Sequence, residues 1–175
     1  MLEQKIKNNI RDVPDFPKKG ILFKDITPVF KNQQLCSEII EEFEKLTSHK
    51  KIDAVIGVES RGFLFGFALA NKLNVPFILA RKAGKLPYKT ISYEYELEYG
   101  NAKIEIQLDD IKPGWNVLIH DDLLATGGTA EAIAELIQRQ NGNVTGFTFL
   151  IELTFLKGEN KLKKYNTDIL SLVHL

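Results

Sequence analysis

The stretch Val117-Leu118-Ile119-His120-Asp121-Asp122-Leu123-Leu124-Ala125-Thr126-Gly127-Gly128-Thr129-Ala130 sets two adjacent carboxylates between an apolar run and a Gly-Gly turn that opens a helix. Those residue types suit a sugar phosphate. Main-chain N–H groups around Gly127 and Gly128, with the positive end of the following helix, make an anion cradle, and glycine lets a phosphate approach closely. The hydroxyls of Thr126 and Thr129 add donors, and Asp121 and Asp122 can accept hydrogen bonds from the vicinal hydroxyls of a ribose. The run is neither a Walker loop, since no Gly-Lys-Ser/Thr follows, nor a dinucleotide fingerprint, since Gly-x-Gly-x-x-Gly is absent. Gly-Gly-Thr by itself reads equally as a tight turn with Thr129 as helix cap; the acidic pair ahead of it favours ligand chemistry.

These residues need strands to hold them. From Asp53 an apolar run, Ala54 to Val58, is followed by the polar Glu59-Ser60-Arg61, a helix-length segment to Leu73 and a second apolar run, Val75 to Ala80: a βαβ unit. A second unit has Val117-Leu118-Ile119 as strand, a loop through Gly128, a helix to Gln140 stopped by Asn141-Gly142, and a strand from Val144 to Leu153. The runs lack polar alternation, as a parallel sheet covered on both faces requires. Such sheets bind ligands at the carboxyl ends of their strands, which singles out the loops starting at Glu59, Arg81 and His120. Between the units, Tyr93 to Tyr99 and Ile104 to Leu108 alternate apolar and polar residues around Gly100-Asn101, predicting a hairpin that projects from the core. Leu2, Ile6 and Ile10 predict a short N-terminal helix before a turn-rich stretch, Val13 to Gly20, and Leu35 to Leu46 an amphipathic surface helix.

Composition narrows the class. The 175 residues are 44% hydrophobic and 26% charged, the ratio of a globular chain of one domain. Lys plus Arg and Asp plus Glu both total 23, so no overall basic field is available for nucleic acid or an anionic membrane. Cys36 is the only cysteine, which excludes an intrachain disulfide and fits a reducing, cytoplasmic setting. No apolar stretch approaches the ~20 residues of a membrane span, and no export signal is evident.

The Val117 to Ala130 run resembles the phosphoribosyl pyrophosphate motif of the type I phosphoribosyltransferases, in the form carried by those that act on adenine. Phe16 to Pro28 resembles the family's base-binding segment, Glu59-Ser60-Arg61-Gly62-Phe63 its pyrophosphate loop, Arg81-Lys82-Ala83-Gly84-Lys85-Leu86-Pro87 its basic flexible loop, and Leu97-Glu98-Tyr99-Gly100 the tip of its catalytic loop. The matches are collinear from about Asp12 to Leu156. The resemblance implies an α/β fold: a central parallel sheet flanked by helices, with a flexible β-hairpin loop and a small N-terminal hood over about residues 1–33 of a single domain, 1–175. It implies the purine salvage reaction in which adenine and phosphoribosyl pyrophosphate give AMP and pyrophosphate. Mg²⁺ is then bound mainly through phosphoribosyl pyrophosphate and water, with no protein metal ligand expected, and the chain forms a homodimer.

Residue by residue, the resemblance puts the phosphoribosyl group on Asp121, Asp122, Ala125, Thr126, Gly127, Gly128 and Thr129, and pyrophosphate on Ser60, Arg61, Arg81, Lys82 and Lys85. Adenine lies between Phe23 and Leu123, its N6 and N1 edge read by main-chain groups of Leu22 and Lys24. Glu98 handles the purine proton, Tyr99 closes over the site, and Arg61 meets the charge growing on pyrophosphate. The Ser60–Arg61 peptide is expected to be cis and the segment from Arg81 to Gly100 mobile. Without the resemblance, Phe23 reads as a core aromatic, Glu98 as one of three solvent-facing acids, and the cations as solvated loop charge.

Several residues carry no such role. His120, where the family more often has an aliphatic residue, reads as a satisfied strand-end histidine. Lys24 replaces the arginine of some relatives. Cys36 reads as packing, His49 and His174 lack partners for a metal, and Lys161, Lys163 and Lys164 read as a solvated helical face. Two other functions fit the same motifs: transfer to a 6-oxopurine, which Leu22-Phe23-Lys24 and Leu97-Glu98-Tyr99 speak to, and a regulator that binds phosphoribosyl pyrophosphate without turnover, against which the basic loop and Glu98 count.

Overall fold

The computed structural model describes residues 1–96 and 101–175. Its elements in chain order are α1 (Leu2–Lys7), β1 (Arg11–Pro14), β2 (Leu22–Asp25), α2 (Thr27–Phe30), α3 (Gln33–Thr47), β3 (Ala54–Val58), α4 (Gly62–Leu73), β4 (Phe77–Lys82), β5 (Thr90–Glu96), β6 (Asn101–Gln107), β7 (Asn116–Leu124), α5 (Gly128–Arg139), β8 (Asn143–Glu152), α6 (Glu159–Leu162) and β9 (Ile169–His174). Seven strands form one sheet in the order β5-β6-β4-β3-β7-β8-β9. The pairs among β4, β3, β7, β8 and β9 are parallel, whereas β6 runs antiparallel to both β4 and β5.

Both faces of that sheet are covered. Ala54, Ile56 and Val58 with Val117 and Ile119 pack on one side against Ile133 and Ile137 of α5. Val55 and Leu118 point the other way, against Ile39 and Phe43 of α3 and Phe65 and Leu69 of α4. Burial of alternate residues on opposite faces is why these strands read as unbroken apolar runs. Helix α3 is started by Asn32, whose Oδ1 accepts from Leu35 N at 3.1 Å.

Four departures from the sequence reading lie along β3, β4, β6 and β7. Strand β7 does not end before the acidic pair: Asp121 pairs with Phe149 and Leu123 with Ile151 of β8, so the ladder runs on to Leu124. Strand β4 likewise includes Arg81 and Lys82, because β6 pairs with them through Glu105 and Ile104. The hairpin therefore does not simply project from the core; Ile104 and Ile106 are buried and β6 is a strand of the main sheet. The cis peptide is Glu59–Ser60, one bond earlier than expected, at the point where Glu59 N makes the last β3 contact to Ala80 O, 2.9 Å.

The N-terminal hood is a two-stranded ribbon, β1 with β2, fastened by Arg11–Asp25 and Lys24–Asp12 ion pairs at 2.6 and 2.7 Å. Its turn contains a cis Phe16–Pro17 bond, and Asp15 accepts from Gly20 N at 2.7 Å. At the other end, Lys161 lies in the short helix α6, but Lys163 and Lys164 follow it and pair with Glu159 and Glu131. Cys36 is half-buried, and its thiol donates to Val29 O. No helix among the described residues is long and apolar enough to cross a membrane.

Candidate active site

The carboxyl ends of β3, β4 and β7 open into a cavity of about 200 Å³ bordered by Glu59, Ser60, Arg61, Lys82, Asp121 and Asp122 among others. Beside it a smaller cavity, about 70 Å³, is enclosed by the Leu123 to Ala130 segment and Phe149. Asp121, Leu123 and Thr129 border both.

Helix α4 reaches the acidic pair because its first residue is glycine. A Cβ on Gly62 would stand 2.8 Å from Asp121 Oδ1 and 3.0 Å from its Cα. The positive end of α4 is thereby brought against a carboxylate. Asp121 also accepts from Asp122 N at 2.8 Å, and Asp122 accepts from Arg61 Nε at 2.8 Å. Burial and the charge of Asp122 hold the Asp121 carboxyl well above the usual carboxylate range; burial raises Asp122 too, against the pull of Arg61.

Arg61 also faces the hood. Its guanidinium lies 4.9 Å from the Phe23 ring centroid, and Phe16 meets the same ring edge-on at 5.0 Å. Phe23 is thus half-buried under a cation at the site's edge, not packed in the core. Leu22 is exposed, and the Lys24 ammonium is held by Asp12. Strand β2 has a single partner, so one edge of its main chain is open.

Among the basic residues, Arg81 donates to Glu59 Oε1 at 3.1 Å and to Lys85 O at 3.0 Å, while Lys82 N donates to Glu59 Oε2 at 2.9 Å. Lys85 Nζ is 3.6 Å from the same carboxylate. Burial works to raise the Glu59 carboxyl, but these donors and charges outweigh it and hold it below its usual range.

The turn into α5 passes through Gly127 at φ +79°, and a Cβ there would stand 2.5 Å from Gly158 O. The loop is walled by the segment before α6, which the sequence reading did not connect with it. Thr129 donates from its hydroxyl to Tyr95 on β5 at 3.1 Å. Tyr95 borders the larger cavity and was missed because its alternating strand offered it only as packing.

His120 is not at a strand end. It is fully buried within β7, its Nδ1 is 3.0 Å from Thr148 Oγ1, and its Nε2 has no hydrogen-bond partner among the described residues. Burial lowers its pKa to about 3, so the ring is neutral beneath the acidic pair. Glu98 and Tyr99 lie outside the described residues.

Comparison with known proteins identifies the family. The model of the phosphoribosyl transferase domain family matches residues 26–172. An adenine phosphoribosyltransferase of Cytophaga hutchinsonii is 51% identical over 99% of this chain and 96% of its own. The crystal structure of an adenine phosphoribosyltransferase from Thermoanaerobacter pseudethanolicus superposes with a TM-score of 0.96 at 51% identity, covering all of both chains. That of Saccharomyces cerevisiae, determined with an imino-altritol bisphosphate and adenine, has a TM-score of 0.90 at 43% identity over 98% of both chains. With such identity sustained along nearly its whole length, this chain belongs to the phosphoribosyltransferase family, among its adenine phosphoribosyltransferases.

Proposed function

We infer that this chain transfers the 5-phosphoribosyl group from phosphoribosyl pyrophosphate to adenine, giving AMP and pyrophosphate. The observation that carries the reading is the meeting of an acidic pair, a glycine-walled helix start and a set of cations around adjoining cavities, in a chain about half identical to adenine phosphoribosyltransferases. The chain works as one domain, with residues 1–33 as its hood.

Ala125 to Thr129 take the 5′-phosphate through the free N–H groups of the first turn of α5. Asp121 and Asp122 accept from the ribose hydroxyls, which add donors to those that Asp122 N and Arg61 Nε already give this buried, mutually repelling pair. As the C1′–O bond breaks, positive charge grows on the ribose and negative charge on pyrophosphate. Arg61, Arg81, Lys82 and Lys85, with the Ser60 main chain, are preorganised on the pyrophosphate side. Adenine stacks between Phe23 and Leu123, and the open main-chain edge at Leu22 and Lys24 selects a 6-amino over a 6-oxo group, since the wrong purine leaves a buried group unpaired. Glu98 manages the purine proton and Tyr99 covers the site.

Asp121 and Asp122 are two hard oxygen donors, too few to complete the shell of Mg²⁺, so the ion fits as one carried by the substrate's oxygens and water, where it neutralises pyrophosphate charge. The setting is cytoplasmic and the assembly a homodimer. Supporting the dimer, Leu64 and Phe67 on α4 and Leu79 on β4 are 53%, 56% and 39% exposed, next to a T-shaped Phe67–Phe77 pair. Sedimentation of the wild type is expected to give a two-chain mass and of Phe67→Asp a one-chain mass; a one-chain wild type rejects the dimer.

The test of the reaction is a Mg²⁺-dependent turnover assay with adenine, hypoxanthine, guanine and xanthine in parallel. Nucleotide should form from adenine alone. Turnover of a 6-oxopurine overturns the role given to Leu22 to Lys24, and binding without turnover makes the protein a regulator.

A further inference from the structure

The alternation of β6 assigns Glu105 to the solvent side, yet it is only 6% exposed. A carboxylate is buried at that cost when donors surround it. Gly84 N and Leu86 N both donate to its Oε1, at 3.0 and 3.2 Å, and the Thr90 hydroxyl donates to Oε2 at 3.3 Å. The chain from Ala83 to Leu86 therefore turns around one carboxylate, with Gly84 at φ +83°.

The same strand holds the turn on either side. Ala83 N donates to Lys103 O at 3.0 Å, and Gln107 Nε2 to Pro87 O at 2.8 Å. Neither Gly84 nor Leu86 touches the cavity, but Lys82 and Lys85 flank and interleave them, and Lys82 borders it. The Lys85 carbonyl is also the atom that Arg81 Nη1 grips. Whatever sets the turn sets the direction of three cations.

We propose that Glu105 is a positioning residue for pyrophosphate, shaping the Ala83 to Leu86 turn so that Lys82 and Lys85 are presented to the cavity together with Arg81. This rests on the reading of those cations as pyrophosphate ligands. Glu105 itself does not reach the ligand; it acts through the two N–H groups it accepts. A basic loop free in water would have to be ordered by each incoming pyrophosphate, whereas a loop wound on a buried carboxylate is ordered beforehand.

Glu105→Leu removes the acceptor at nearly constant volume. Glu105→Gln keeps one oxygen for both N–H groups and turns its NH₂ toward Thr90 Oγ1, which can accept. Glu105→Asp withdraws the carboxylate by one methylene and keeps the test available should the leucine variant not fold. Lys85→Ala and Lys82→Ala are measured alongside, to test the underlying reading. The readouts are pyrophosphate affinity by calorimetry, amide hydrogen exchange over residues 83–86 by mass spectrometry, and KM for adenine.

In Glu105→Leu the exchange is faster and the pyrophosphate Kd rises about tenfold, within the cost of leaving part-buried amides unpaired, while Glu105→Gln stays within about threefold of wild type. Glu105→Asp falls between them. KM for adenine is unchanged in all, which a merely loosened fold would not give. Lys85→Ala weakens pyrophosphate without altering exchange. Should Lys85→Ala weaken pyrophosphate while Glu105→Leu and Glu105→Asp bind it as wild type, Glu105 has no positioning role. Should Lys85→Ala and Lys82→Ala both bind it normally, the ligand reading of the loop fails and the proposal with it.

Discussion

Replacing Glu98 by glutamine lowers kcat with adenine by roughly 10²- to 10⁴-fold, the range for loss of a positioned acid or base. The dissociation constant of phosphoribosyl pyrophosphate stays near that of the wild type. The split follows from the chemistry: the purine changes its protonation at N9 or N7 as the new bond forms, whereas phosphoribosyl pyrophosphate binds before any proton moves. Glutamine preserves size and one acceptor oxygen but cannot take up a proton. Glu98 stands three positions beyond Tyr95, which borders the cavity and meets Thr129 of the phosphate loop. A pre-steady-state burst with the variant would separate a slowed chemical step from slowed product release. A wild-type kcat removes Glu98 from proton transfer and returns it to the solvent-facing acids of the hairpin.

The second large effect has two signs. Asp121→Asn with Asp122→Asn raises the Kd for phosphoribosyl pyrophosphate by roughly 10²- to 10³-fold, because two charge-assisted hydrogen bonds to ribose become neutral ones. The same change should not lower thermal stability at neutral pH. Both carboxyls titrate above their ordinary value of 3.8 in the fold, so the folded pair binds protons that the unfolded chain has released. Wild-type stability therefore falls as pH rises from near 3.8 through the raised range of the pair, and the asparagine variant lacks that slope. Asparagine at 121 keeps an oxygen for Asp122 N. Arg61, whose side chain is 34% exposed, reaches water when Asp122 no longer pairs with it. Calorimetric titration and thermal melts across pH 4 to 8 check both halves. Unchanged affinity excludes the pair from the ribose site; a lower Tm at neutral pH means the pair serves the fold instead of opposing it.

Much of this was legible where one physical signal dominated. Ala54 to Val58 has no polar residue, and β3 has those bounds. The Asp-Asp and Gly-Gly spacing singled out the Asp121 to Thr129 segment because glycine and paired acids have few other reasons to stand there together, and residues of that segment line both cavities. What was hidden depended on partners distant in sequence. Asp121 and Asp122 look like the end of a strand, yet hydrogen bonds to β8 carry β7 past them. Glu105 looks solvated because its strand alternates, and only the turn at 83–86 explains its burial. The β1–β2 ribbon was lost in a turn-rich stretch, since seven connecting residues leave no hairpin signature. The Phe23 reading came from resemblance, not periodicity, and the Arg61 guanidinium over its ring is the contact that periodicity had no means to supply.

The meeting of Gly127 with Gly158 bears on how this protein can be redesigned. A side chain on either glycine runs into the other's segment: a Cβ at Gly158 would strike Ala125 O and come within 2.9 Å of Leu124 Cδ1. Part of the shape of the loop into α5 is thus written some thirty residues downstream of it. Libraries that vary residues 125–129 to admit a different sugar must hold Gly127 and Gly158 fixed, because the clash is with main-chain atoms that no substitution at 156–159 removes, and grafting the loop into another scaffold requires transplanting both segments as one piece.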